Sequence, residues 1–233
     1  MRRFLIACAL LCPCAPLLAA PPSRVVATYA VSKAGIRIVT MNETFVRQGD
    51  HYTLESVSQA VGLLALIKAE TIRVNSAGLV TSNGLQPVTY ASKRKVDEDR
   101  NASADFDWEK HRITLTDRSG RRTEPLPAGT QDRLSAMYQL MFLPLQDMKI
   151  LKFFMTNGSK VDDYTFEIKH GQSVTVPVGT FKAVYLATLP EKNASRTEIW
   201  AAAEHSNFPY KMVVTEPDGG QFTQELTHIE FTP

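Results

Sequence analysis

The sequence predicts a mainly β protein: a single antiparallel, strongly curved sheet, a barrel or half-barrel, with one amphipathic helix against its concave face. Three observations lead there. Short runs rich in Val, Ile, Thr, Tyr and Phe recur about every 8 to 12 residues, separated by Gly, Asn and Pro turns, which is the spacing of a β-meander. Only one stretch carries a helical period, since Leu134, Met137, Tyr138 and Met141 fall at i, i+3, i+4 and i+7, with Leu140 widening the stripe. No linker or repeat divides the chain, so residues 21–233 are expected to form one barrel-like domain.

The strands follow in order. Val25–Lys33 and Ile36–Arg47, broken at Ala34-Gly35, read as a hairpin. After the Gln48-Gly49-Asp50 turn, His51–Val61 alternates, with Tyr52 and Leu54 on one face and Thr53 and Glu55 on the other. The apolar run Gly62–Ile67 fits either a buried strand or a helical turn. Glu70–Asn75 and Leu79–Ser82 read as a hairpin around Ser76-Ala77-Gly78, and Val88–Lys95 resumes after Asn83-Gly84. Charges of both signs crowd Lys93–Arg100 and read as a solvated strand end. Ala104–Trp108 and Arg112–Asp117 follow, and Ser119-Gly120 then breaks the run before Pro125 and Pro127 lead to the helix.

The helix is expected over Thr130–Phe142, with Thr130 as N-cap, Asp132 complementing the helix dipole and Pro144 beyond its end. Gly129 and the Leu145–Lys149 loop would let it act as a lid. Beyond it come Leu151–Thr156, the Asn157-Gly158 turn, Val161–Lys169, Ser173–Val176, Phe181–Leu189, Arg196–Ala202, Tyr210–Thr215 and Gln221–Phe231.

Met1-Arg2-Arg3 followed by an apolar run to Leu18 and Ala19-Ala20 has the layout of a secretory signal peptide, expected over residues 1–20 with cleavage after Ala19 or Ala20. That run is short for a membrane span, which needs about 20 apolar residues, and no later segment approaches that length. All three cysteines, Cys8, Cys12 and Cys14, fall in the leader, so disulfides and thiolate chemistry are not expected in the rest of the chain. Leu5-Ile6-Ala7-Cys8 resembles a lipoprotein cleavage box, although only four apolar residues precede the cysteine. Without Arg2 and Arg3, the 26 basic residues become 24 against 24 acidic ones, a balance ill suited to nucleic acid.

Chemistry-bearing motifs are sparse. His51, His111, His170, His205 and His228 show no zinc spacing, so neither metal nor cofactor is expected. Ser135 lies in no G-x-S-x-G elbow and reads as a helix-start hydroxyl, and no catalytic residue is assigned. Phe106 and Trp108 share one strand face and are expected inside, with Asp105 and Asp107 outward. A hydrolase becomes a rival reading only if either acid is buried beside another carboxylate.

Four of the seven methionines, Met137, Met141, Met148 and Met155, lie in or just after the helix among aromatic residues. Methionine adapts to variable apolar partners, so Leu134, Met137, Tyr138, Met141, Phe106 and Trp108 are the candidate ligand-binding residues of a carrier for a lipid or acylated protein. The alternative is an envelope structural or interaction protein whose barrel is filled by its own side chains.

One resemblance sharpens this. Tyr52 and Leu54, Gly78-Leu79-Val80 with Gly84-Leu85-Gln86-Pro87, Phe106-Asp107-Trp108, Gln131-Asp132-Arg133-Leu134-Ser135, Tyr164-Thr165-Phe166, Val178-Gly179-Thr180-Phe181, and Glu198-Ile199-Trp200 with Phe208-Pro209-Tyr210-Lys211 appear in an order that resembles domain of unknown function 3108. That resemblance spans nearly the whole chain after the leader. It implies an exported bacterial protein of the periplasm, distantly like the half-barrel carriers of lipoproteins and lipids, and it supplies no catalytic residues.

Overall fold

The computed structural model describes residues 21–233. The expected leader, its cleavage site and Cys8 lie outside the described residues.

One sheet contains β1 (Arg24–Lys33), β2 (Ile36–Gln48), β3 (His51–Ala60), β4 (Thr71–Thr81), β5 (Gly84–Arg94), β6 (Ala102–Asp107), β7 (Arg112–Asp117), β8 (Gly120–Pro125), β9 (Gln131–Asp132), β10 (Ile150–Thr156), β11 (Val161–Val176), β12 (Gly179–Thr188), β13 (Arg196–Ala202), β14 (Phe208–Thr215) and β15 (Gln221–Thr232). Each strand lies beside its sequence neighbour, except that β1 pairs with β15 and β8 and β9 are the two ends. Two meanders, β1–β8 and β9–β15, are therefore joined along β1 and β15, from Arg24 opposite Thr232 to Lys33 opposite Phe222. All pairings are antiparallel but one: β9 runs parallel to β10, with Gln131 opposite Met155 and Asp132 opposite Thr156.

Alternation along the strands sets the inner face, as in β1, where Val25, Ala27 and Tyr29 are buried, and in β3, where Tyr52 and Leu54 are. The helical stripe lies against that face. Leu134, Tyr138 and Met141 share one buried cluster with Tyr29, Phe45 and Phe208, while Leu140 joins a second with Leu151, Phe166 and Leu186. A third cluster, Phe106, Ile113, Leu115 and Leu126 among its members, lies under β6 and β7.

The helix is shorter than its period suggests. Regular α-helix, α2, covers only Ser135–Gln139, and a 3-10 turn continues over Leu140–Phe142. Gln131 and Asp132 are extended because they pair with β10. Thr130 does not cap the helix: its hydroxyl donates to the Pro127 carbonyl at 2.7 Å. The cap comes from Asp132, whose Oδ1 accepts the N–H groups of Leu134 and Ser135, each at 2.9 Å. Past the helix, Leu145 is fully buried and pins the exit loop.

Three other segments differ from expectation. Ser76-Ala77-Gly78 is not a turn; β4 runs through it with a bulge, and a Cβ on Gly78 would lie 2.1 Å from the Gln86 carbonyl oxygen. The glycine marks close backbone approach. At His170-Gly171 the register slips but β11 continues. Gly120–Pro125 is the edge strand β8. The two-way stretch Gly62–Ile67 is a helix, α1, with none of its residues buried.

Candidate functional site

The α2 helix carries its polar groups into the same interior. Tyr138 is fully buried, stacked on Phe45 at 5.5 Å and edge-on to Phe208 at 5.4 Å between ring centroids. Its hydroxyl donates to Glu43 Oε2 at 3.1 Å. Burial is the main cause that pushes the Glu43 carboxyl up to about 7, with the hydrogen bonds from Tyr138 and Ser56 pulling the other way.

Below it lies a second buried acid. Asp132, wholly enclosed, accepts the Ser76 hydroxyl at 2.5 Å besides its two backbone N–H groups, and Ser76 is in turn 3.1 Å from the Tyr52 hydroxyl. Desolvation raises the Asp132 carboxyl above the usual range, against the hydrogen bonds that stabilise its charge. Asp132 ties β4 on one side of the molecule to β9 on the other.

That tie belongs to a seam. The sheet curls until β9 and α2 face β5, and side chains bridge them where a strand ladder would close a barrel. Gln131 Nε2 donates to the Leu85 carbonyl at 2.8 Å. The Leu85 N–H donates to Gln139 Oε1 at 2.6 Å, and Gln139 Nε2 donates to the Asn83 carbonyl at 2.8 Å, so one glutamine reproduces the two bonds of a neighbouring strand. Gly84, at φ +94°, leaves room for it, because a Cβ there would sit 2.4 Å from Gln139 Oε1. Further along, the Gly158 turn abuts β6, where an added Cβ would meet the Ser103 nitrogen at 2.9 Å.

Beside these bridges the seam opens into a cavity of about 240 Å3, lined by Leu85, Trp108, Ala136, Leu140, Leu143, Leu151 and Phe153, with Gln139 and Lys152 at its polar side. The Trp108 indole is fixed there by a 2.6 Å hydrogen bond to the Pro87 carbonyl and by stacking on Phe106 at 5.9 Å. Elsewhere, open to solvent, a larger surface bay of about 890 Å3 is lined mostly by polar groups, Arg133, Asn157, Asp162 and Thr165 among them.

The six residues singled out by sequence do not form one site. Leu134, Tyr138 and Met141 are buried in the main cluster, Met137 is half-buried between two clusters, and Phe106 belongs to the third. Trp108 alone of the six lines the seam cavity. Asp105 is exposed, and Asp107 accepts the N–H of Lys110 at 3.0 Å and its ammonium at 3.1 Å, which hold its carboxyl below the usual range. Among the described residues no group of three or more His, Cys, Asp or Glu side chains could hold a metal ion.

Sequence reasoning passed over Glu43, Gln131 and Gln139. For Glu43 a signal existed, since the period of two that turns Phe45 inward turns Glu43 inward as well. The glutamines carried none; their role arises from a strand 46 or more positions away.

The family described as "Protein of unknown function (DUF3108)" matches residues 25–227. A solved structure, a β-barrel-like protein of domain of unknown function DUF1849 from Brucella abortus, superposes with a TM-score of 0.54 at 14% identity, covering 91% of this chain and 98% of that one. At that identity the likeness concerns the fold alone. A search of curated proteins found no match.

Proposed function

The chain belongs to the DUF3108 family, a group described as of unknown function, and from that premise we propose that it is a non-enzymatic binding protein of the bacterial cell envelope. In this reading it is exported to the periplasm and receives one apolar segment, an acyl chain of a lipid or of a lipidated protein, in the seam between β5 and β10. The supporting observation is the seam cavity, whose walls are Leu85, Trp108, Leu140, Leu143, Leu151 and Phe153. Its volume of about 240 Å3 falls below the roughly 300 to 1,000 Å3 of sites for whole drug-sized molecules. One chain fits this reading better than a two-tailed lipid.

A second reading has its own support. The space between α2 and the sheet is filled by Tyr29, Phe45, Tyr138 and Phe208, each at most 1% exposed, as expected of an envelope interaction protein with a solid interior. Trp108 separates the two, because it lines the cavity while the other tryptophan, Trp200, does not. Brominated fatty acid should quench Trp108 emission in the protein, and Leu143→Trp, which fills the cavity from a half-buried position, should abolish uptake of a fluorescent fatty acid at unchanged thermal midpoint. Protein purified from the periplasm that yields no extractable lipid and shows no quenching would leave the solid-interior reading.

A further inference from the structure

Among the described residues the α1 helix carries the most exposed large apolar side chains: Leu63 is 78%, Leu66 83% and Ile67 84% exposed, and Ile36, at the start of the adjoining β2, is 68% exposed. Nothing in the sheet requires this. At the base of the helix the Val61 N–H donates to the Ile38 carbonyl at 2.9 Å and the Ala60 N–H to the Glu70 carbonyl at 3.1 Å, which places the helix beside the start of β2 and the end of β3. Val96, in the next loop at the same end, is 52% exposed. Single exposed apolar residues are ordinary, but a group of this size on one protruding tip calls for a covering surface.

The charges at this end say what kind. Lys33 and Arg37 flank Ile36, and Lys68 follows Ile67; Lys93 and Lys95 lie across β4 on the end of β5. The acids there, Glu70, Asp97, Glu98 and Asp99, are fewer than the bases, Lys33, Arg37, Lys68, Lys93, Arg94, Lys95 and Arg100. The Glu70 carboxylate accepts the N–H groups of Lys95, Val96 and Asp97, and Asp97 is paired with Lys68. Glu98 and Asp99 share a 3-10 turn with Arg100, in the loop that follows Arg94 at the end of β5. The tip therefore concentrates positive charge, with seven basic against four acidic side chains there and 26 against 24 in the whole chain.

We propose that this tip docks on an anionic lipid bilayer, with Leu63, Leu66 and Ile67 entering the acyl boundary and Lys33, Arg37, Lys93 and Lys95 meeting the headgroups. A short convex helix with a cationic border suits a deformable lipid surface, where apolar burial and attraction to anionic headgroups act together. A protein partner would need a matching concave groove. The helix has six residues, far too few to span, so the attachment is peripheral.

Vesicle flotation tests it. The purified protein should float with phosphatidylethanolamine vesicles containing phosphatidylglycerol, float poorly with phosphatidylcholine vesicles, and lose binding as salt rises. Leu66→Ser with Ile67→Ser should weaken partitioning by about tenfold per side chain while leaving the thermal midpoint unchanged, since both residues are solvent-facing. Protein that stays at the bottom of the gradient with the anionic vesicles overturns the proposal, as does a double variant that floats as well as the parent. A dimer dissolved by the same two changes, without vesicle binding, would assign the tip to a second copy of the chain and likewise overturn it.

Discussion

The Tyr138 hydroxyl meets Glu43 Oε2 at 3.1 Å inside the sheet, so a helix side chain and a strand carboxyl share one buried hydrogen bond. The Glu43 carboxyl titrates at about 7 in the fold against 4.5 when unperturbed. Between those values the folded chain holds a proton that the unfolded chain has released. The contribution to stability is complete below the unfolded value and is lost as pH rises through about 7.

The expected loss from this group between about pH 5 and pH 8 is roughly 3 kcal/mol. Asp132, also raised by burial, adds in the same direction. The acids held low, Asp97, Asp107 and Asp117, act with the opposite sign and only at more acid pH. Urea unfolding at a series of pH values measures the slope. Glu43→Gln, which keeps an acceptor for Tyr138 and removes the charge, should flatten it and be the more stable protein at the alkaline end; a parent equally stable across the range would contradict the assignment.

Asp132→Ala should cost about 3 to 5 kcal/mol, because it strands the buried Leu134 and Ser135 N–H groups and the buried Ser76 hydroxyl. Asp132→Asn keeps an oxygen for the backbone donors and lets Ser76 turn to accept, so it should cost less than half as much. Chemical denaturation of the two variants gives the order. Equal losses would mean that the charge, not the cap, is what the site needs.

Gly84→Ala should destabilise by about 2 to 4 kcal/mol, since it combines a positive φ with a Cβ in the space of the Gln139 amide. Removing that amide in Gln139→Ala takes away the clash but not the backbone strain. The double variant should therefore be more stable than the two single losses added together, by about 0.5 to 3 kcal/mol. Strict additivity in a double-mutant cycle would show that the glutamine does not occupy the seam in solution.

Much of the architecture was legible because its signal is local. Tyr52 and Leu54 alternate with Thr53 and Glu55, and burial follows that alternation. The Leu134, Met137, Tyr138 and Met141 stripe persists even though the backbone changes from α to 3-10 within it, since both keep residues three apart, as Tyr138 and Met141 are, on one side. Elements made by distant partners were not legible. Gln131 and Asp132 are extended only because β10 lies beside them, and two residues carry no period. Gly120–Pro125 contains no large apolar residue, as befits a strand on the sheet's edge, so nothing marks it as a strand. The carrier residues inferred from methionine content scattered for the same reason: adaptability to an apolar neighbour describes a core as well as a cavity.

The junction of β1 and β15 has a consequence for how the chain reaches this state. β1 and β15 are side by side although nearly all of the described residues separate them, with the Ser23 N–H bonded to the Thr232 carbonyl at 2.9 Å. Until β15 is made, β1 leaves the β1–β8 meander with an unpaired border at Val25, Ala27 and Tyr29, which β15 covers in the fold. Such a border templates pairing with other chains, and long-range β contacts form slowly. Cleavage before Gln221 that released β15 would expose that border again.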